Sequence, residues 1–266
     1  MKLAINDKKI SYNEYGKGKT IVLLHGFLEN KNIWNDLVEK LSGDFHVVTV
    51  DLPGHGESDV LEPVHEMGSM AAAVKEILSS LDVEECMVVG HSMGGYVALA
   101  LADLFPQMVS GLVLFHSQAA ADDEEGKRNR DRTVKVVEEN RAGFISNFIP
   151  DLFAPGNAEK FADEVDDLKQ QAMQASKEGI IAAVKGMKDR SSKLGLLHSI
   201  MAPVLFICGK QDSRIPIEKI LNQVAMPRHS EALLLEDTGH MGFIENKEKA
   251  EEALHHFALR VLKKDA

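Results

Sequence analysis

The chain has 266 residues, enough for one large α/β domain with an insertion or for two small ones. Apolar side chains make up 44% of it, which excludes a disordered chain. With 41 acidic against 30 basic side chains the formal net charge is −11, which argues against nucleic acid or an anionic membrane surface as a partner. The two cysteines, Cys86 and Cys208, each stand in an apolar run. Both read as small buried residues on neighbouring strands, and no Cys/His spacing suggests a metal site. The stretch Met1-Lys-Leu-Ala-Ile-Asn-Asp-Lys-Lys9 has no long apolar core and does not read as a signal peptide. No apolar run approaches transmembrane length, so a cytoplasmic protein is the expectation.

Residues 3–5 and 10–15 flank the turn signal Asn6-Asp7-Lys8 and read as a β-hairpin. Residues 20–24 form a continuous apolar run, the pattern of a strand covered on both faces. It ends in His25-Gly26-Phe27. Residues 32–41 carry Ile33, Trp34, Leu37, Val38 and Leu41 on one helical face. The next strand, 45–50, ends in Asp51-Leu-Pro-Gly-His-Gly-Glu-Ser58, and a helix at about 67–81 follows.

The apolar run 86–89 then meets Gly90-His91-Ser92-Met93-Gly94-Gly95, and a helix-forming stretch, 96–104, follows at once. A sharp turn between a strand and its helix pushes the central side chain into a cleft. Strand and helix backbones nearly touch there, so small residues must surround it. Ser92 is therefore a candidate nucleophile beside the N-terminus of a helix, where unpaired N–H groups can receive negative charge. The bland alternative is a serine capping an ordinary helix.

Residues 109–115 form another strand. Alternating strands and helices predict a mostly parallel sheet with right-handed crossovers. The alternation breaks at Ser117. From 118 to 193 the chain is charged and helix-prone, with apolar patches at Phe144-Ile145, Phe148-Ile149, Leu152-Phe153 and Ile180-Ile181. This predicts a helical cap, 118–193, inserted into a core domain made of 1–117 and 194–266. The alternation resumes with a strand at 203–208 ending in Gly209-Lys-Gln-Asp212, and a helix at 216–225. A last strand, 232–236, ends in Asp237-Thr-Gly-His240, and an amphipathic helix, 247–264, closes the chain. The expected fold class is thus α/β, with eight strands flanked by helices.

A serine hydroxyl needs an adjacent base, and the base needs an orienting acid. Ligands of open α/β sheets bind at the carboxyl ends of strands. Asp212 and His240 each lie just past such an end, downstream of Ser92. Together, His25-Gly26-Phe27, Asp51 to Ser58, Gly90 to Gly95, Gly209 to Asp212 and Gly239-His240 resemble the α/β-hydrolase superfamily, in its order. The resemblance covers nearly the whole chain outside 118–193. It implies a Ser92–Asp212–His240 triad and oxyanion-hole N–H groups at Phe27 and Met93. No Gly-x-Gly-x-x-Gly follows a strand and no phosphate loop appears, so no dinucleotide or nucleotide cofactor is implied, and no cofactor is expected.

Among the remaining candidates, His25 reads as a turn-stabilising residue near the oxyanion loop, and His55 and His91 as structural or pocket-edge residues. His255 and His256 fall on the closing helix. Asp51 reads as a turn-former, Asp237 as a loop acid, and Asp122 and Asp123 as too far along to replace Asp212. His25, His91, Phe144 and Phe148 are the candidate pocket residues; Phe144, Ile145, Phe148, Ile149, Leu152 and Phe153 either line an apolar acyl pocket or pack the cap onto the core domain. The expected activity is hydrolysis of carboxylic esters of small or medium acyl groups through an acyl-enzyme, with a small-molecule ester as the partner. Thioester or carbon–carbon bond cleavage on the same triad, or a ligand receptor with slow turnover, are the alternatives. The oligomeric state is open.

Overall fold

The computed structural model describes residues 1–5 and 7–263. Asn6 of the predicted hairpin turn and Lys264 at the predicted end of the last helix lie outside the described residues. Eight strands form one sheet: β1 (Lys2–Ile5), β2 (Lys8–Tyr15), β3 (Thr20–Leu24), β4 (His46–Val50), β5 (Cys86–His91), β6 (Val109–Phe115), β7 (Val204–Gly209) and β8 (Ser230–Leu235). Their spatial order is β1-β2-β4-β3-β5-β6-β7-β8. The pairs β1–β2 and β2–β4 are antiparallel and all the others parallel. The register sets Leu24 beside Gly90, Gly90 beside Leu114, and Leu114 beside Phe206. Residues that follow β3, β5, β6 and β7 therefore emerge along one edge of the sheet.

The strands read as continuous apolar runs because the sheet is covered twice. Val22 and Leu24 of β3 enter one buried cluster, and Ile21 and Leu23 the other. Side-chain alternation along a strand requires this split. The first cluster includes buried residues of α2 (Met67–Ser80) and α3 (Met93–Leu104); the second includes those of α1 (Asn35–Leu41) and a late helix, Lys247–Leu262. Cys86 and Cys208 are buried and free, but they are not on neighbouring strands. β6 pairs with both β5 and β7 and separates them.

Between β6 and β7 the described chain is helical: α4 (Glu124–Phe148), α5 (Asn157–Lys160), α6 (Ala162–Ala172), α7 (Lys177–Asp189) and α8 (Leu194–Ser199), with a short 3₁₀ turn after α4. Acidic residues open α4, and Asp123 caps it by accepting from the Gly126 N–H at 2.8 Å. α4 bends at Asn140, whose non-helical φ of −150° and ψ of 77° interrupt it. The Asn140 side chain then caps the second half through the Gly143 N–H, at 2.9 Å. α7 lies directly on the loop after β4. A Cβ on Gly179 would stand 2.4 Å from the Gly54 carbonyl oxygen, and one on Gly186 would stand 1.7 Å from that of His65. Two glycines seven positions apart thus let helix and loop backbones touch. The remaining helices are α9 (Ile217–Val224), α10 (Gly242–Glu245) and α11 (Lys247–Leu262). Among the described residues no helix is long and apolar enough to cross a membrane.

The loop after β4 is held by more than a local turn. Asp51 accepts from the Lys31 N–H at 2.8 Å and the Glu57 N–H at 3.0 Å, and it meets the Lys31 ammonium at 2.5 Å. Lys31 and Asp51 are both buried, so this ion pair ties the residues after β3 to those after β4.

Candidate active site

Ser92 stands between β5 and α3 with φ 49° and ψ −114°. A residue with a Cβ pays about 1–3 kcal/mol for such a backbone, so its surroundings must enforce it. The Ser92 N–H donates to the Phe115 carbonyl at 2.9 Å, and the Ser92 carbonyl accepts from Gly95 N–H at 2.9 Å and Ser117 Oγ at 2.8 Å. Close packing needs glycine beside it. A Cβ on Gly90 would lie 2.3 Å from the Gly94 carbonyl oxygen, and a Cβ on Gly94 would lie 2.3 Å from that of Leu24.

His240 follows β8 and is buried. Its Nδ1 lies 2.8 Å from Asp212 Oδ2. Asp212 Oδ1 accepts from the Arg214 and Ile215 N–H groups at 2.8 and 2.9 Å. Burial opposes ionisation of Asp212, but attraction to His240 and hydrogen bonds from His116 and His240 outweigh it and hold the carboxyl well below its ordinary value. An ionised carboxylate only accepts, so His240 carries its proton on Nδ1 and leaves Nε2 free to accept. Among the described residues neither Ser92 Oγ nor His240 Nε2 has a hydrogen-bond partner within the protein. Bonds of this kind commonly close only in the substrate complex.

Asp212 has a second imidazole partner that sequence reading missed. His116 follows β6, and its Nδ1 lies 3.1 Å from the same Oδ2. Burial pushes its pKa down to about 4, so the ring is neutral. The sequence signal was its place just past a predicted strand; in the structure His91 pairs with Phe115, so Ser92 and His116 leave adjacent strands at the same level. The ligand-capable atoms of His116, Asp212 and His240 all lie within 4.8 Å of one another, but the Nδ1 atoms and the carboxylate are already engaged with each other.

The loop after β3 carries Phe27. Its amide and that of Met93 have no hydrogen-bond partner among the described residues. Below them, His25 Nδ1 donates to the Gly26 carbonyl at 2.7 Å while Nε2 accepts from the Leu52 N–H at 2.9 Å. Burial lowers the His25 pKa, in keeping with this neutral ring. Glu29 Oε2 accepts from the Gly26 N–H at 2.5 Å and faces His91 Nδ1 at 3.0 Å. His91 Nε2 faces the His240 carbonyl at 3.0 Å. Both acceptors lack protons, so both ring nitrogens of His91 carry one. Burial alone would neutralise the two side chains. Their mutual attraction and hydrogen bonds reverse this, raising the pKa of His91 and lowering that of Glu29. Glu29 was not singled out from sequence.

Ser92, His240 and Phe27 line one cleft of about 390 Å³. Of the residues predicted to line the pocket, Phe148 and Leu152 join them. Phe144 is absent from the wall and meets the Phe148 ring at 5.2 Å between centroids. His25 and His91 are fully buried and turned to the partners above. Ile145 and Ile149 are also fully buried, because helical spacing points them into the core. The wall is more polar than the apolar patches of the sequence suggest, and includes Arg130, Arg214, Lys219, Asp122 and Gln118.

The segment between β6 and β7 also reaches the His240 loop. The His240 N–H donates to the Leu152 carbonyl at 2.7 Å. Glu245 accepts from the Gly239 and Met241 N–H groups with one oxygen, at 3.0 and 3.1 Å, and from the Ala154 N–H with the other, at 2.8 Å.

A family model for the alpha/beta hydrolase fold matches residues 19–247. An uncharacterised protein of Mycobacterium tuberculosis is 39% identical over 108 residues, 41% of this chain; the match spans about a third of that protein's length, 32%. A 2-hydroxy-6-oxononadienedioate/2-hydroxy-6-oxononatrienedioate hydrolase of Paraburkholderia phymatum is 28% identical over 270 residues, covering 94% of this chain and 90% of that one. A thermophilic esterase from Thermogutta terrifontis, solved with malate bound, superposes with a TM-score of 0.91 at 28% identity, over 98% of this chain and 97% of that one. The chain belongs to the alpha/beta hydrolase fold family.

Proposed function

We propose that the chain cleaves carboxylic esters of small or medium acyl groups through an acyl-enzyme. The single observation that carries this reading is the 2.8 Å His240–Asp212 contact beside an elbow serine that lines the same cleft. Ser92 Oγ attacks the ester carbonyl as His240 Nε2 takes its proton. The amides of Phe27 and Met93 receive the oxyanion. His240 then returns the proton to the departing alkoxide, the acyl group stays on Ser92, and a water deprotonated by His240 releases the acid. Asp212 keeps the imidazole in the required tautomer. We assign residues 118–193 the role of a cap over this cleft; Phe148 and Leu152, which line it, belong to that segment.

The similarity to the Thermogutta esterase supports ester cleavage. A second reading, carbon–carbon bond hydrolysis on the same residues, is favoured by the similarity to the Paraburkholderia hydrolase. A panel of p-nitrophenyl esters, acyl-thioesters and vinylogous diketones separates the two. Ser92→Ala should cut turnover of the preferred substrate by about 10⁴-fold or more with unchanged circular dichroism. Undiminished turnover in that variant refutes the assignment.

A further inference from the structure

The Arg214 guanidinium stands over the Phe148 ring, 4.6 Å from its centroid. Phe148 meets the Phe27 ring edge-on at 5.8 Å. The cation is therefore one aromatic ring away from the residue whose amide receives the oxyanion. The Arg214 backbone is fixed, because its N–H donates to Asp212. Its side chain rests on the Phe148 ring. Among the described residues the guanidinium makes no hydrogen bond, and its nearest acid, Asp151, stands at 3.9 Å and is 74% exposed. Arg130, on the same wall, is bound by Asp122 at 3.0 Å. Lys219 also lines the cleft and has no ion-pair partner among the described residues. The acids of the wall are largely committed: Asp122 to Arg130 and Arg190, Asp123 to the cap of α4, Glu29 to His91, while Glu125 is exposed.

We propose that Arg214, assisted by Lys219, binds a carboxylate carried by the substrate away from the bond that is cleaved. The preferred substrates are then anionic esters, such as half-esters of dicarboxylic acids. A guanidinium offers paired N–H donors that match a carboxylate, and Phe148 supports its plane. This inference rests on the hydrolase reading of Ser92.

The test compares kcat/KM for charged and neutral members of two ester pairs. One pair, p-nitrophenyl hydrogen succinate and p-nitrophenyl butyrate, carries the charge on the acyl side. The other, 4-carboxyphenyl butyrate and phenyl butyrate, carries it on the alcohol side. Arg214→Gln should lower the charged-to-neutral ratio at least about tenfold in one pair, which identifies the side, and Arg214→Lys should restore part of it. In parallel, succinate is titrated calorimetrically into Ser92→Ala with and without Arg214→Gln. The second substitution should weaken binding at least about tenfold. A ratio that Arg214→Gln leaves unchanged in both pairs overturns the proposal. If no ester is turned over, the ester reading itself fails, and the succinate titration alone decides the subsite: equal affinities overturn it.

Discussion

Glu29 and His91 form a buried ion pair at 3.0 Å that joins three parts of the site. Glu29 also holds the Gly26 N–H beside Phe27, and His91, one residue before Ser92, also holds the carbonyl of His240. One pair of charges thus ties together the Phe27 loop, the turn at Ser92 and the His240 loop.

Glu29→Gln should destabilise the fold by about 3 kcal/mol, because it strands a buried imidazolium. The effect should depend on pH. The raised pKa of His91 means its contribution is complete below 6.5 and fades as pH rises through the folded value. The lowered pKa of Glu29 means its contribution is complete above 4.5 and fades as pH falls through the folded value. The pair is fully effective between 4.5 and 6.5. Urea midpoints of wild type and variant should differ more at pH 5.5 than at pH 9. An equal gap at both pH values contradicts a charged pair.

Asp212→Asn should lower kcat by about 10⁴-fold while substrate still binds. An amide can donate to His240 Nδ1 and so favours the wrong tautomer for a base at Nε2. Steady-state kinetics with the preferred ester, together with a retained thermal midpoint, check this. A loss below tenfold would move the orienting role elsewhere.

His116→Ala removes one donor from Asp212 Oδ2 and should lower kcat roughly tenfold with a smaller change in KM. His116→Asn, whose side-chain N–H reaches toward the same oxygen, should recover most of the loss. Recovery distinguishes positioning of Asp212 from simple filling of space. If Asn and Ala behave alike, the 3.1 Å contact has no role in turnover.

Gly94→Ala should destabilise the protein by about 3 kcal/mol or more. The added Cβ would meet the Leu24 and His25 carbonyl oxygens at 2.3 and 2.6 Å, and backbone cannot swing aside as a side chain can. Gly43→Ala is the control, since nothing lies within 4 Å of its Cβ, and it should change stability by less than about 0.5 kcal/mol. Denaturation of both variants tests the contrast; a stable, active Gly94→Ala protein would show that the elbow relaxes.

Most of the sheet was legible because strands buried on both faces read as near-continuous apolar runs, as at residues 21–24 and 112–115. Ser92, Asp212 and His240 were legible as candidates because reactive groups gather at strand ends. What stayed hidden depends on distance along the chain. His116 and Asp212 are 96 positions apart, and Glu29 and His91 are 62 apart, so no local pattern announces either pair. The neighbourhood of Cys86 and Cys208 was misread because spatial strand order differs from chain order. The cleft wall was only partly legible because its polar members come from distant parts of the chain, Gln118, Asp122 and Arg130 before α7 and Arg214 and Lys219 after β7.

The bond from His240 to Leu152 has a consequence for recombination of this fold. Leu152 to Ala154 behaves as part of the His240 loop, stapled to it by Glu245, although it lies among the helices between β6 and β7. Grafting a foreign insertion across 118–193 would therefore replace a support of the imidazole along with the walls of the cleft. A chimaera that swaps only α4 and α7, and keeps 152–157 with its native Glu245, should change the cleft wall and leave the His240 loop supported.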